Sequence, residues 1–136
     1  MMDADGAENW VRSWSASVSE RAAQAQEMSR LVADLTASAT SANGAVKVTV
    51  AASGVVTDLR LNDRVHGWAA ERIAAEIMTT MRRAQARLAD DVADVAARTV
   101  GEDSETGRAV VASYIERFPE PPERSDDDRI GRRQDR

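Results

Sequence analysis

The chain has 136 residues, a formal net charge of −5 and no cysteine. This length fits one domain with a tail, and the lack of cysteine excludes disulfide bonds and thiolate chemistry. The acidic first residues lack the apolar stretch of a signal peptide, and no apolar run approaches the ~20 residues that span a bilayer. We therefore expect a cytoplasmic protein without a membrane partner.

A long amphipathic helix is predicted from about residue 8 to residue 35. Trp10 and Trp14 lie one turn apart near its start, where a single chain has little else to cover them. Aromatic pairs at helical spacing usually pack against other protein groups, so we expect packing rather than ligand stacking here. The apolar residues that recur at spacings of three and four are Val11, Trp14, Val18, Ala22, Ala25, Met28, Val32 and Leu35.

Residues 36–61 predict a three-stranded antiparallel meander. Val46, Val48 and Val50 alternate with less apolar residues, which is the pattern of a half-buried strand. The upstream pair Asn43–Gly44 predicts a two-residue hairpin turn, preceded by a short edge strand at residues 36–41.

The third strand of the meander follows a turn at Ser53–Gly54. Because side chains alternate along a strand, the hairpin is expected to have one apolar face. The residues of this strand predicted to share that face are Val55, Thr57, Leu59 and Leu61.

A second long helix is predicted from Trp68 to about Val100, and Gly101 is a plausible stop. Its apolar stripe consists of Ile73, Ile77, Met81, Ala84, Leu88, Val92 and Val95. A shorter third helix is predicted over residues 103–118 and is expected to dock back onto the main body. Residues 119–136 contain three prolines and many charges, so we expect a domain over residues 1–118 and a disordered tail at 119–136.

The lengths of these elements predict a homodimer. A helix of ~28 residues is ~42 Å long, whereas a strand of ~7 residues covers only ~23 Å. Aromatic residues make up only 4% of the chain, so one copy has little material to cover the protruding apolar stripes. We expect an intertwined homodimer whose interface includes Trp10, Trp14, Val18, Ile73, Ile77, Met81 and Leu88.

The sequence offers little for catalysis. His66 is the single histidine and falls in a loop between a strand and a helix, where an exposed or capping role is expected. Asp90, Asp91 and Asp94 lie close together on the second helix but lack the turn geometry of a calcium loop, so a solvated helix face is expected. We predict no enzyme activity, no cofactor and no metal site.

Charge is distributed unevenly along the chain. The net charge is −3 over residues 1–43, +1 over residues 44–100 and −3 over residues 101–136. Fields decay over ~8 Å at physiological salt, so a local arginine patch is able to contact phosphates despite the negative total. An equally open interpretation is a solubilising helix face. The candidate phosphate contacts are Arg82, Arg83 and Arg87, helped by Arg60 and Lys47.

The segment NGAVKVTVAASGVVTDLRLND stands between the two long helices, and the second helix contains IMTTMRRAQARL. This arrangement resembles the YbaB/EbfC family of nucleoid-associated proteins, in particular its divergent actinobacterial members. The similarity covers about residues 10–100. It depends on Gly44 with the alternating valines, the turn at Gly54, the strand ending near Asp63 and the segment Ala84–Ala86.

The resemblance implies an α+β fold in the order long helix, meander and long helix, here followed by a short C-terminal helix. It also implies a tweezer-shaped homodimer in the nucleoid that binds DNA with little sequence preference and influences nucleoid organisation or gene regulation. Some actinobacterial relatives are associated with type VII secretion loci. The alternative expectation is therefore a protein-interaction or structural module with a protein partner.

Overall fold

A computed structural model describes residues 4–41 and 43–121 of the chain. The α+β order of elements agrees with the prediction, and a short 3-10 helix at Asp63–Gly67 precedes the second long helix. The predicted disorder of the tail falls, from residue 122 onwards, outside the described residues. The elements are α1 (Ala4–Ala33), β1 (Thr36–Thr40), β2 (Val46–Ala51), β3 (Val56–Leu61), α2 (Ala70–Thr99) and α3 (Glu105–Arg117).

The three strands form one antiparallel sheet in the order β1-β2-β3, so β1 and β3 are the edges. Helix α2 packs across β1 and β2. It covers Val46, Val48 and Val50, which are fully buried together with Ala84 and Leu88 of α2. Every residue of β3 is exposed. The main core therefore lies under two of the three strands.

The connection between β1 and β2 differs from the predicted two-residue turn. Ser41 donates its backbone N–H to Val46 O at 2.8 Å, and Gly44 donates to Ser41 O at 2.9 Å. The Ser41 hydroxyl also accepts from Val46 N at 3.1 Å. Ser41 therefore pairs with Val46 through both its backbone and its side chain, and the connection is wider than a two-residue turn at Asn43–Gly44.

The apolar face of β3 also differs from the prediction. Val56 pairs with Val50, whereas Asp58 pairs with Thr49, so Thr57 is an extra residue in the ladder. Such a bulge reverses the alternation of side chains on one side of it. Val56, rather than Val55 or Thr57, therefore shares the face of Leu59 and Leu61.

Helix α3 packs on α2 and against the turn between β2 and β3, as predicted for docking. The Tyr114 hydroxyl donates to Ala52 O at 2.9 Å. The ring of Phe118 lies against Gly54, whose φ of +87° and lack of a Cβ both suit glycine. Gln85 of α2 donates its side-chain N–H to Gly54 O at 3.0 Å. This turn is thus held by both helices.

Among the residues that the structure describes, those packed on α1 bury side chains near its C-terminal end. Met28 and Val32 pack with Val92 and Val95 of α2 in a second, smaller core. At the other end, Trp10 stacks on the next tryptophan of the helix, with 6.5 Å between ring centroids and 60% of its surface exposed. The first half of α1 therefore projects from the body with an uncovered aromatic stripe.

Candidate nucleic-acid interface

Three exposed arginines of α2, called here the helix arginines, line one groove. They are Arg82, Arg83 and Arg87. The groove has a volume of about 510 Å³ and is bounded on one side by Ala39 and Thr40 of β1. Arg83 and Arg87 share a face of α2 because they lie four positions apart, and Arg82 stands next to Arg83.

Arg87 is oriented by the sheet. Its Nη1 donates to Ser38 O of the edge strand β1 at 2.9 Å. A backbone carbonyl is neutral, so this bond limits the rotation of the guanidinium without neutralising its positive charge. The remaining N–H groups of this oriented guanidinium are the ones that would donate to an anion.

Two carboxylates partly offset the positive charge of the groove. Asp90 lies one turn along α2 from the helix arginines, and Glu120 reaches the groove from the chain that follows α3. Three positive side chains therefore face two negative ones.

The pKa of the Asp91 carboxyl, next along α2, is raised by burial and further by the neighbouring charges of Asp94 and Asp90. Arg87 has a lowering effect on the same pKa. The surface of α2 thus changes sign beyond Arg87.

The other two predicted DNA contacts do not join the helix arginines. Lys47 and Arg60, called here the sheet pair, stand opposite each other on β2 and β3. Lys47 alternates with Val46 and Val48, which face α2, so the sheet pair lies on the opposite side of the sheet. Arg60 also donates to the Asp58 carboxylate at 3.0 Å. The structure therefore separates the five cations into two surfaces.

The residues considered for catalysis and metal binding do not form a site in the described part of the chain. His66 is exposed on the 3-10 helix, with its Nε2 3.6 Å from an Asp63 oxygen. Among residues 4–41 and 43–121, no three acidic, histidine or cysteine side chains come together in a way that would hold a metal ion. No helix in these ranges has both the length and the apolar content needed to cross a bilayer.

Within residues 4–41 and 43–121, several of the exposed large apolar side chains belong to two surfaces. The first comprises Val56, Leu59 and Leu61 of β3, each exposed to between 40% and 45%. The second is the stripe of Trp10, Val11, Trp14 and Val18 on α1. Of the other predicted interface residues, Ile73, Ile77 and Met81 are half-buried at the edge of the main core, and Leu88 is fully buried inside it. Met78 of α2, which follows Ile77, is 44% exposed and was not predicted as an interface residue.

Comparison with known protein families decides the identity of the fold. A profile of the YbaB/EbfC DNA-binding family matches residues 11–103. The chain belongs to the YbaB/EbfC DNA-binding family. The family region holds most of α1, the whole sheet, α2 and all five predicted DNA contacts, whereas α3 lies beyond it. Searches of curated proteins and of solved structures gave no significant match.

Proposed function

We propose that this member of the YbaB/EbfC family is a non-enzymatic, nucleoid-associated homodimer that binds DNA with little sequence preference. The observation that carries the proposal is the groove of helix arginines, which lies within the region matched to a DNA-binding family. Guanidinium groups suit phosphate oxygens because they donate paired N–H groups. Phosphate contacts hold a protein on a duplex without reading its bases. Binding through such contacts therefore has little sequence preference.

The proposed dimer forms through the two uncovered apolar surfaces. Val56, Leu59 and Leu61 face the same side as the buried valines of β2, yet α2 does not extend over them. A second copy of the chain is the simplest cover for this surface and for the Trp10 stripe. Leu88 is left out of the proposed interface because its own chain already buries it completely.

The helix arginines are proposed as the main phosphate contacts and the sheet pair as a secondary positive surface. Arg87 is held by the sheet edge, and its neighbours Arg82 and Arg83 are exposed beside it. In the sheet pair, Arg60 already shares its charge with Asp58. Pairing in a dimer doubles the number of arginines available to one duplex, which offsets the weakness of each single contact.

The test is a fluorescence-anisotropy titration with three duplexes of unrelated sequence. We expect binding to all three with affinities within a factor of about ten, since phosphate contacts carry no sequence information. We also expect the affinity to fall steeply as salt is raised from about 50 to about 200 mM. Absence of binding to every duplex at the lower salt concentration would contradict the proposal.

A second candidate function is a protein-interaction module of the kind found beside secretion components. It is favoured by the exposed Trp10 and Trp14 rings and by α3, which lies beyond the family match. Here the test is co-purification with a stoichiometric protein partner from the native cell, compared between the wild type and a W10S/W14S variant. A partner retained by the wild type alone, together with failure of the duplex titrations, would favour this candidate.

A further inference from the structure

The chain that leaves α3 runs to the groove of the helix arginines. Packing of Phe118 against Gly54 fixes the end of α3 on the turn between β2 and β3. Two and three residues later, Glu120 and Pro121 line the same groove as the helix arginines. Pro121 is the last described residue, so the rest of the chain begins at the rim of the proposed DNA site.

The sequence that follows is acidic. Residues 122–128, here called the acidic segment, read PERSDDD and carry a net charge of −3. The groove has an excess of positive charge, because three arginines face Asp90 and Glu120. Seven residues reach at most ~25 Å, whereas the helix arginines span only ~8 Å along α2. The acidic segment is therefore both complementary in charge and long enough to cover the groove.

We propose that the acidic segment occupies the groove of the helix arginines and competes there with the phosphates of DNA. This autoinhibitory contact rests on the proposed function. Each exposed pair of arginine and carboxylate is weak. Attachment of the segment beside the groove nevertheless gives it an effective concentration in the millimolar range. DNA carries a much denser negative charge and therefore displaces the segment.

The first experiment detects the contact without DNA. The chain has no cysteine, so Ser125→Cys provides a unique site for a spin label. We expect the label to broaden the amide NMR signals of residues 82–87 and of the adjoining β1. The broadening should disappear in a D126N/D127N/D128N background and persist in the matched control R132Q/R133Q/R136Q. Broadening that is absent from residues 82–87, or unchanged by the aspartate substitutions, would overturn the contact.

The second experiment measures the competition in the full-length chain. If the segment occupies the groove in about two thirds to nine tenths of molecules, D126N/D127N/D128N binds a duplex about three- to tenfold more tightly at low salt. In an R82Q/R83Q/R87Q background the same change should have no effect, because the segment then has no site to vacate. An equal gain in both backgrounds would show general repulsion of DNA and overturn the proposal.

The two experiments separate this inference from the proposed function. Duplex binding without any gain on aspartate substitution overturns the autoinhibition and leaves DNA binding intact. Broadening by the label in a chain that binds no duplex overturns both the competition and the DNA-binding function, although the contact itself remains. Broadening together with a gain that depends on the helix arginines supports both.

Discussion

Neutralising the helix arginines gives the sharpest prediction about the interface. The variant R82Q/R83Q/R87Q keeps polar side chains at these positions of α2 while removing three positive charges. All three side chains are exposed, and glutamine has nearly the helix propensity of arginine. We therefore expect the fold to persist and DNA binding to weaken.

The expected magnitude follows from counterion release. Each phosphate neutralised contributes about −0.9 to the slope of log affinity against log salt. Loss of three contacts therefore makes the slope less negative by about 2.7. Over a fourfold rise in salt, that slope corresponds to about a 40-fold change in affinity. If both protomers of a dimer contact the duplex, the slope becomes less negative by about 5.4.

The assay is an anisotropy titration of one duplex at four salt concentrations, with circular dichroism as the check on folding. The matched control is K47Q/R60Q, which removes two charges from the opposite side of the sheet. We expect it to change the slope by less than the value of about 1.8 that the loss of two phosphate contacts would give. A helix variant with the wild-type slope, or a larger loss in the control, would refute the assignment of the groove.

Four further predictions concern assembly and stability. Leu59→Asp places a charge on the uncovered face of β3, so the chain should sediment as a folded monomer; an unchanged dimer would contradict the interface. Tyr114→Phe removes the hydrogen bond to Ala52 O and should lower the free energy of unfolding by about 1 kcal/mol in urea titrations, whereas an unaltered midpoint would show that α3 is not anchored there. Leu88→Ala empties a fully buried position and should cost about 2–5 kcal/mol by the same measurement; a loss no larger than that of an exposed leucine would contradict its place in the core. The raised pKa of Asp91 means that the folded chain holds this proton more tightly than the unfolded chain, so stability falls as the pH rises above the ordinary carboxyl range. Asp91→Asn should therefore stabilise the chain at neutral pH and have no such effect below about pH 4; an equal gain at both pH values would refute the electrostatic cause.

Much of the fold was predictable because periodicity reports which side of an element is covered. The valines of β2 are buried as their alternation predicts, and the long helices end within a few residues of the expected positions. Gly54 has the positive φ that a turn at this point requires. These features depend on local patterns of apolar and turn residues, which a sequence displays directly.

The details of the strand connections were not predictable in the same way. The bulge at Thr57 and the closure of the first loop by Ser41 depend on which backbone groups pair across the sheet. Likewise, alternation indicated that Leu59 and Leu61 share a face with the valines, but not that α2 leaves this face uncovered. The position of one element over another is a property of tertiary packing rather than of local pattern.

The candidate site shows the same division. The clustering of the helix arginines follows from helical spacing and was predicted. The separation of Lys47 from them was readable in the sequence, since Lys47 lies between two buried valines and must point to the other side. The approach of Glu120 to the groove had no sequence signal, because it depends on how α3 docks.

Sedimentation velocity of the full chain with a fluorescent duplex, followed through the DNA signal at low salt, tests dimeric DNA binding in a single measurement. We expect the labelled duplex to sediment with two protein chains of 14.7 kDa each, and to return to the position of free DNA when the salt is raised. A duplex that sediments alone at low salt in the presence of micromolar folded protein would contradict DNA binding, and a complex with a single chain would contradict the dimer.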